Sequence, residues 1–396
     1  MTARCDVLLV GTGLANALIA WRLAQARPDL SITMLERAER PFGDHTWSFH
    51  GPDAQGALHD LEPLVAHEWT AQRVTFPNRT RTLRASYHSL TSESVREAFA
   101  RVANTVSIET DAHVTALEGN RAVLADGRSF GAPLVVDGTG FRPSPHLVLG
   151  YQKFVGLEIE VNGGHDEREP VIMDGTVEQI DSYRFVYTLP QSATRILVED
   201  THYADESELH HDRYREAALA YAHAKGWTGD VVREESGVLP IALAFDRAKF
   251  WADLPGPDKA VPVGMRAAFF QHITGYSFPL ALEVANLFAR APVLTTSAMH
   301  DRVETYSREL ERRQWYFRML NRMMFRACDP ANRYKLLQRF YGLPEPLIER
   351  FYGARLRKRD MLRIVSGKPP LPVLDALPAL RERPLLRAEP LLESAP

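Results

Sequence analysis

Glycine residues near the start of the chain have the spacing of a dinucleotide phosphate site. The segment GTGLAN places Gly11 and Gly13 between an apolar run and a helical pattern beginning at Leu14, with Asn16 where a third glycine is usual. The first glycine permits a tight turn, and the second lets the backbone approach a pyrophosphate at the helix N-terminus. A strand-to-helix turn that merely needs positive φ uses the same glycines. The pattern alone therefore leaves the ligand open.

Two acidic residues at the ends of apolar runs favour FAD as that ligand. Glu36 lies about 20 residues after the glycine turn, where its carboxylate can accept hydrogen bonds from a ribose hydroxyl and disfavours a 2′-phosphate. Asp137 lies in LVVDGTG (Leu134–Gly140), which resembles the second flavin motif of the two-dinucleotide-binding-domain flavoproteins. A fold that binds nicotinamide alone is not expected to repeat an acidic glycine turn. The predicted FAD contacts in this part of the chain are Gly11, Gly13, Leu14, Asn16, Glu36, Asp137, Gly138 and Gly140.

The elements that must position these residues follow from periodicity. A strand at Cys5–Val10, a helix at Leu14–Ala26 and a strand at Ser31–Glu36 form a βαβ unit whose crossover length suits a parallel pair. Tyr183–Leu189 and Arg195–Thr201 are rich in β-branched and aromatic residues, as antiparallel strands are. We predict an α/β fold, in which a Rossmann-type, GR2-like FAD-binding domain carries an inserted antiparallel sheet and a C-terminal helical region. The predicted divisions are a discontinuous FAD-binding domain at 1–149 and 246–300, a substrate domain at 150–245, a helical region at 301–380 and a flexible tail at 381–396.

Composition and charge disfavour several functional classes. A net charge of −3 gives no positive field to gather nucleic acid. The two cysteines, Cys5 and Cys328, form neither a disulfide framework nor a metal-ligand cluster, so no metal is predicted and a reducing cytoplasm fits best. The sequence begins without the pattern of a secretory leader, and no stretch approaches the roughly 20 apolar residues that a spanning helix needs. A cytoplasmic globular protein is therefore expected.

A series of short, uncommon sequence motifs points to a reaction. Their order and spacing along nearly the whole chain resemble those of the bacterial lycopene β-cyclases. The resemblance implies an FAD-dependent isomerase, of the intramolecular lyase class, that closes the linear ψ end groups of lycopene into β-ionone rings, through γ-carotene to β-carotene. The motifs are FGDHTW (Phe42–Trp47), YQKFVGLEIE (Tyr151–Glu160), MDGTVEQ (Met173–Gln179), FVYTLP (Phe185–Pro190), LVEDT (Leu197–Thr201) and RFYGLPEPLIERFY (Arg339–Tyr352).

The segment Val263–Leu282 resembles the flavin-closing segment of those enzymes, and TGYS is its specific part. Where the family commonly reads HPTTGYS, this chain reads QHITGYS, so Gln271 or the displaced His272 must serve that position. Both side chains can donate to a flavin carbonyl or phosphate. The resemblance implies FAD contacts from Gly264, Gln271, His272, Thr274, Gly275 and Tyr276.

The resemblance also implies the catalytic residues. Glu199 of LVEDT matches the family's catalytic acid, and strand alternation places Asp200 on the opposite face, hydrogen-bonded behind it. Glu199 and Asp200 are the predicted catalytic pair, although a lone Glu-Asp pair is ordinarily exposed on an edge strand. His45 and Trp47 are predicted to line the substrate pocket, where they could contact the flavin or stabilise a cation. A packed core His and Trp explains that pair almost equally well.

Ring closure adds one proton and removes another, so the predicted reaction is redox-neutral. A carboxylic acid with a pKa of about 4 is a poor proton donor to an alkene. The site must therefore raise that pKa by burial and supply negative potential for the cation. Reduced, anionic FAD is the expected source of that potential, and the resemblance implies NAD(P)H as its reductant. Glu234 and Glu235 could also bind the flavin or shape a tunnel, although such acids are more commonly solvated in loops.

The C-terminal third is basic and rich in aromatic residues. Residues 302–363 hold 16 Lys and Arg against 7 Asp and Glu, and Val303–Ala327 has apolar residues at helical spacing. Because carotenoids are insoluble in water, we expect this region to contact the inner face of the cytoplasmic membrane, where other carotenoid pathway enzymes could be partners. The same aromatic residues could instead pack the helix against the body. The expected anchors are Trp315, Tyr316, Phe317, Phe340 and Tyr341.

Two other functions fit the same fold. One is an FAD-dependent isoprenoid reductase or monooxygenase, whose product gains two hydrogens or an oxygen, whereas a cyclase leaves the mass unchanged. The other is a non-catalytic lipid or flavin carrier, in which Glu199→Gln would leave ligand binding unchanged.

Overall fold

The computed structural model describes residues 2–179, 181–366 and 377–388. The strands in these ranges are β1 (Thr2–Arg4), β2 (Val7–Val10), β3 (Ile32–Leu35), β4 (Thr46–His50), β5 (His67–Trp69), β6 (Gln72–Phe76), β7 (Arg79–Leu83), β8 (Tyr87–Thr91), β9 (Val106–Glu109), β10 (Val114–Glu118), β11 (Arg121–Leu124), β12 (Ser129–Gly131), β13 (Leu134–Asp137), β14 (Leu147–Val161), β15 (Val171–Asp174), β16 (Tyr183–Pro190), β17 (Arg195–Ala204), β18 (Gly229–Phe245) and β19 (Val261–Pro262). The α-helices are α1 (Leu14–Ala26), α2 (Leu58–Leu61), α3 (Ser92–Ala100), α4 (His211–Ala224), α5 (Arg247–Asp253), α6 (Phe278–Ala289), α7 (Thr296–Arg326), α8 (Tyr334–Phe340), α9 (Glu345–Tyr352), α10 (Lys358–Val365) and α11 (Arg383–Ala388).

A parallel sheet carries the two glycine turns. Its strand order is β19-β13-β2-β3-β9, and every pair in it is parallel. β2 and β13 are buried along their whole length, as strands covered on both faces are. Helix α1 connects β2 to β3 and packs against α6. The predicted βαβ unit is confirmed, and it brings the carboxyl ends of β2, β3 and β13 to one edge of the sheet.

A larger sheet has the strand order β18-β14-β17-β16-β15-β6-β7. Its pairs are antiparallel except β15 with β6. The strands predicted around Tyr183–Leu189 and Arg195–Thr201 are β16 and β17. The sheet also takes β6 and β7 from residues 72–83, which lie in the range predicted for the FAD-binding domain. The division of the chain into domains therefore stays a prediction. Two smaller sheets have the orders β1-β12-β11-β10 and β4-β8-β5.

The two faces of the larger sheet are covered by different elements. On the outer face, Val198 belongs to a cluster formed with helix α4. On the inner face, Leu197 and Tyr203 pack in a cluster that contains residues of α7, α8 and α9. Because side chains alternate along a strand, Glu199 shares the inner face and Asp200 shares the outer face.

Helix α7 has 31 residues and packs against β18. The predicted helix started at Val303, whereas the structure starts it at Thr296. The hydroxyl of Thr295 accepts from the N–H of Ala298 at 3.4 Å, so it caps the helix there. None of the described helices has both the length and the apolar character that crossing a membrane requires.

The end of the chain is partly described. In the predicted tail, residues 383–388 form α11, and Glu382 accepts from Nε of Arg318 and Nη1 of Arg322 at 2.9 and 3.0 Å. Composition missed this helix because the side chains that hold it belong to α7, 60 and 64 residues earlier. Pro369, Pro370 and Pro372 of the predicted helical region lie outside the described residues.

Candidate active site

The glycine turn after β2 packs directly on the glycine turn after β13. Gly11 has a φ of 88°, and a Cβ at this position would lie 2.7 Å from the carbonyl oxygen of Gly138. The left-handed backbone and the close approach therefore both require glycine at position 11. Since β2 and β13 are neighbours in the parallel sheet, the two turns meet at its carboxyl edge.

Asn16 packs between these two turns. Its side chain is buried, and Nδ2 donates to the carbonyl oxygens of Val10 and Gly11 at 2.9 and 2.8 Å. A Cβ on Gly138 would lie 2.4 Å from this nitrogen, so glycine leaves the space that the amide occupies. Asn16 therefore fills the place of the usual third glycine with two hydrogen bonds. Leu14 is 8% exposed and packs in the core, so its backbone is what faces a ligand.

Glu36 fixes the loop between Gly11 and Gly13. Its Oε2 accepts from the N–H and the hydroxyl of Thr12 at 3.0 and 2.5 Å, and its Oε1 accepts from the N–H of Ala38 at 3.1 Å. Oε1 keeps a second lone pair, which is available to a ribose hydroxyl. The predicted ribose contact is therefore compatible with this geometry.

Asp137 is held at the same edge of the sheet. Its Oδ1 accepts from the N–H and the hydroxyl of Thr139 at 3.1 and 2.6 Å, and Nε of Arg266 donates to Oδ2 at 3.2 Å. A cavity of about 320 Å³ opens beside it, with Arg142 and Lys259 in its lining. The carboxyl edge of the strands is where open α/β sheets bind their ligands.

The start of α1 is open to an anion. Gly13 caps the helix without a side-chain hydrogen bond, and the first turn has no acidic residue. A Cβ on Gly13 would meet nothing within 4 Å, whereas a Cβ on Gly264 would lie 2.7 Å from Cβ of Ala15. Gly140, like Gly264, has positive φ. The free N–H groups and the helix dipole favour a phosphate here, so these residues fit the predicted FAD.

The two residues that were expected to replace the family's histidine have partners inside the protein. Nε2 of Gln271 donates to the carbonyl oxygen of Phe351 at 3.0 Å, and its Oε1 accepts from the N–H of Ile273 at 2.7 Å. Nδ1 of His272 lies 3.2 Å from Nη1 of Arg318, and burial together with this cation holds the pKa of His272 well below its usual range. Flavin contacts from Gln271 and His272 therefore stay a prediction, although Gln271 Nε2 and Oε1 and His272 Nδ1 already have partners inside the protein.

The remaining part of TGYS forms a turn against β18. Gly275 has a φ of 69°, and a Cβ there would lie 2.7 Å from Cβ of Leu239. The hydroxyl of Thr274 accepts from the N–H of Tyr276 at 3.2 Å. The Tyr276 hydroxyl donates to Oδ2 of Asp53 at 3.5 Å, and burial raises the pKa of Asp53 to about 7. Flavin contacts from this turn stay a prediction.

Glu199 is buried on the inner face of the larger sheet. Its carboxyl accepts a hydrogen bond from the hydroxyl of Thr201 at 2.6 Å, and no Lys, Arg or His among the described residues forms an ion pair with it. Burial raises the pKa of Glu199 to about 8, and the negative charges of Glu235 and Asp200 act in the same direction. A carboxyl with this pKa is protonated at neutral pH and can act as an acid.

Asp200 lies on the outer face, as the alternation predicted. It is fully buried, with Nη2 of Arg184 donating to Oδ2 at 2.7 Å and Nε2 of His202 at 2.7 Å from Oδ1. These partners lie on β16 and on β17 itself, and neither contacts Glu199. The predicted catalytic role of Asp200 stays a prediction, and the contact that the structure gives it with Glu199 is through charge.

His45 and Trp47 lie together, with their rings 5.4 Å apart. His45 is exposed, and Trp47 packs against the core around the parallel sheet. The side chains that alternate with Trp47, those of Thr46 and Ser48, bond to β18 and β16 instead. The pocket roles predicted for His45 and Trp47 therefore stay predictions, while their neighbours are the ones that contact the larger sheet.

Sequence reasoning missed several polar groups near Glu199. The hydroxyl of Thr46 donates to Oε2 of Glu235 at 3.0 Å, and Nη1 of Arg233 donates to the same oxygen at 2.7 Å. The Tyr187 hydroxyl is 3.2 Å from that of Tyr87. In β4, the polar Thr46, Ser48 and His50 alternate with Trp47 and Phe49, and this alternation was the available signal for Thr46. Within the described ranges, no group of three or more His, Cys, Asp or Glu is placed to hold a metal ion.

The fold is that of the FAD-dependent reductases and oxygenases. A geranylgeranyl bacteriochlorophyll reductase-like protein from Thermoplasma acidophilum superposes with a TM-score of 0.58 at 13% identity, covering 93% of this chain and 98% of that one. For the tetrameric form of 2-methyl-3-hydroxypyridine-5-carboxylic acid oxygenase, the TM-score is 0.60 at 16% identity, with 94% and 100% covered. Similarity at this level shows the fold alone.

Sequence comparison gives the family. The family model described as "Lycopene cyclase protein" matches residues 6–378. The lycopene beta-cyclase of Paracoccus sp. (strain N81106 / MBIC 01143) is 48% identical over 375 residues, which are 94% of this chain and 96% of that protein. The lycopene beta-cyclase of Pantoea ananas is 42% identical over 379 residues, 95% and 98% of the two chains. The chain belongs to the lycopene cyclase family, as its sequence motifs predicted.

Alanine at Gly13 and at Gly138 should have different effects. Gly13→Ala meets no protein atom, so the free energy of unfolding without cofactor should stay unchanged while FAD affinity falls about tenfold or more, because the methyl group occupies phosphate space. Gly138→Ala displaces Asn16 and should destabilise the cofactor-free protein by about 1–3 kcal/mol. Urea unfolding and FAD fluorescence titration measure the two effects. Unchanged FAD affinity in Gly13→Ala would place the cofactor elsewhere.

Proposed function

We propose that this protein is a lycopene β-cyclase, which converts the ψ end groups of lycopene into β rings through γ-carotene to β-carotene. The observation that carries the proposal is Glu199, a buried carboxyl that is protonated at neutral pH and has no ion-pair partner among the described residues. It lies on a sheet face lined by apolar and aromatic side chains, in a chain of the lycopene cyclase family. An acid of this kind suits protonation of an alkene.

The proposed reaction conserves atoms. The proton of Glu199 is transferred to one alkene carbon, the ring closes as a carbon–carbon bond forms, and the proton released from another ring carbon returns to the Glu199 carboxylate. The hydroxyl of Thr201 holds the orientation of the Glu199 carboxyl. Burial keeps bulk water from hydrating that carboxyl, so its proton is retained for the substrate.

Aromatic rings of the inner face suit both the substrate and the cation. Tyr183 and Phe185 lie with ring centroids 5.3 Å apart, and Tyr203 is within 6.1 Å of Phe185. Their faces provide an apolar wall for a hydrocarbon chain, and their ring electrons attract positive charge. Burial raises the pKa of the Tyr183 and Tyr203 hydroxyls, so both rings stay neutral.

We propose reduced FAD as the cofactor and NAD(P)H as the source of its electrons. FAD in its anionic reduced form supplies negative charge for the carbocation and undergoes no net redox change. Gly11, Gly13 and the start of α1 would hold the pyrophosphate, Glu36 the ribose, and Asp137 the ribityl or pyrophosphate region. The open helix start and the cavity beside Asp137 support this placement.

We propose that the protein works at the inner face of the cytoplasmic membrane, where its substrate and other carotenoid pathway enzymes would be. Of the expected anchors, only Trp315 is substantially exposed, at 47%, since the other four side chains are buried or nearly so. On α10, Leu362 and Val365 are 69% and 41% exposed. The exposed Arg359 and Arg363 lie on the same helix. A short helix with exposed apolar and basic side chains suits an anionic lipid surface.

Incubation with lycopene in liposomes, FAD and NADPH without oxygen should yield γ-carotene and then β-carotene of unchanged mass. In D₂O each closed ring should gain one deuterium, because the added proton comes from an exchangeable acid while the one that leaves is carbon-bound. Liquid chromatography with mass spectrometry resolves these products. A product heavier by two hydrogens or an oxygen would identify a reductase or a monooxygenase instead.

Glu199→Gln and Asp200→Asn should change stability in opposite directions. Glu199 stays protonated to about pH 8, so its contribution to stability falls as pH rises from its ordinary pKa towards 8. Glu199→Gln should therefore abolish ring closure and raise the free energy of unfolding at pH 7 by about 1–3 kcal/mol. Asp200→Asn leaves Arg184 unpaired and should lower it by about 3–5 kcal/mol. Ring closure by Glu199→Gln at the wild-type rate would exclude Glu199 as the acid.

Leu362→Glu should weaken binding to vesicles of phosphatidylglycerol and phosphatidylcholine about tenfold, because it removes exposed apolar surface and adds a negative charge. The matched control is Val293→Glu, since Val293 is 52% exposed in the loop between α6 and α7. Vesicle sedimentation measures both variants. Equal binding by the two variants would place the membrane contact outside α10.

A further inference from the structure

Two buried glutamates flank one glycine on the inner face of the larger sheet. Gly156 of β14 is in register with Glu235 of β18 on one side and with Glu199 of β17 on the other. A Cβ on Gly156 would lie 3.3 Å from Cγ of Glu235 and 3.6 Å from Cβ of Glu199. The absent side chain therefore leaves no side chain of the middle strand between the two glutamates, although Cδ1 of Leu197 also lies 3.3 Å from that position.

The two carboxyl groups have different partners. Glu235 is 7% exposed, and its Oε2 accepts from Nη1 of Arg233 at 2.7 Å and from the hydroxyl of Thr46 at 3.0 Å. Burial raises the pKa of Glu235, but the guanidinium and the hydroxyl oppose that rise and favour the ionised form. Glu199 has only a hydroxyl donor, from Thr201. When the environments of two carboxyl groups push their pKa values apart in this way, one group is charged and the other is neutral.

We propose that Glu235 is a positioning residue that acts through Glu199: its fixed negative charge, anchored by Arg233, holds the proton on Glu199 until the substrate takes it. This inference rests on the proposed cyclase function and adds a residue to it. The charge of Glu235 disfavours a second carboxylate beside it, so Glu199 loses its proton less readily to solvent. Gly156 is the position that allows this coupling.

Other charged and titratable groups around the pair are accounted for. Arg233 also donates to Oε2 of Glu158 at 2.6 Å, so its charge is shared between two carboxylates. On the outer face, Asp200 adds negative charge behind Glu199. On the inner face, the hydroxyls of Tyr187 and Tyr87 lie close enough for Glu199 to raise their pKa, and both stay neutral.

Two residues just before β4 act on the Arg233–Glu235 ion pair. Asp44 lies 3.6 Å from Arg233, and of the two only Asp44 forms an ion pair with Arg233. The positive charge of protonated His45 lowers the pKa of Glu235. Neither residue acts on the pKa of Glu199. The two carboxyl groups that do are Asp200, on the outer face, and Glu235, on the same face as Glu199.

The test compares Glu235→Gln with Glu234→Gln. Glu234 is the preceding residue on the same strand, but its side chain points to the outer face, where it pairs with Arg215 at 2.9 Å and His211 at 2.6 Å. Both variants lose one negative charge on β18. The pH profile of kcat/KM for lycopene in liposomes gives the alkaline pKa of each protein. Retained FAD binding and circular dichroism show that each variant is folded.

In Glu235→Gln the alkaline limb should move down by about one pH unit, so activity at pH 8 falls several-fold while the rate at low pH changes little. Glu234→Gln should keep the wild-type limb, and Glu235→Asp should restore it in large part, because the charge is retained. A second readout does not need turnover. The infrared carbonyl band of protonated Glu199, identified by its loss in Glu199→Gln, should titrate at lower pH in Glu235→Gln.

The outcomes separate the two proposals. If the wild-type protein forms rings but Glu235→Gln keeps the wild-type alkaline limb and infrared titration, Glu235 is only structural and the inference is wrong. If both glutamine variants move the limb equally, the effect is general charge rather than the pair across Gly156, and the inference is again wrong. If the wild-type protein forms no ring, the proposed function fails, whereas the infrared titration still decides whether Glu235 controls Glu199.

Discussion

A buried carboxyl without an ion-pair partner is the constraint on which the site depends. Removing Glu199 from water makes its charged form costly, and that is what keeps it protonated. A single guanidinium beside it would reverse the effect. The nearby arginines are already bound elsewhere, Arg184 to Asp200 on the outer face and Arg233 to Glu235 and Glu158 at the side. The ion pairs of this sheet therefore keep cations away from Glu199 as well as holding strands together.

The cofactor site depends on a second kind of constraint, which is contact between backbones. A Cβ on Gly11 would clash with the carbonyl oxygen of Gly138, and one on Gly138 would clash with Asn16, whose Nδ2 bonds to the carbonyl oxygens of Val10 and Gly11. Such packing fixes the carboxyl ends of β2 and β13 relative to each other without using charge. The start of α1 is consequently rigid and unoccupied by protein groups, as a phosphate site must be.

Local patterns in the sequence predicted what neighbouring residues decide. The βαβ unit, the antiparallel strands and the opposite faces of Glu199 and Asp200 all follow from periods of two and 3.6 residues. Pairings between distant segments could not be found in this way. Nothing local shows that Gln72–Phe76 joins the larger sheet, or that Gln271 and His272 bond to α9 and α7. Those contacts depend on which segments meet in three dimensions, and that is decided by the packing of the whole chain.

Arg318 makes the far end of the chain part of the same structure. Its guanidinium contacts His272 beside the TGYS turn, Glu311 within α7, and Glu382 just before the last described helix. Glu382 is thus connected to the turn by one side chain. This has a practical consequence for handling the protein. An affinity tag is better fused to the amino end, where β1 is exposed along its length, because Glu382 in the last described segment reaches the core through Arg318.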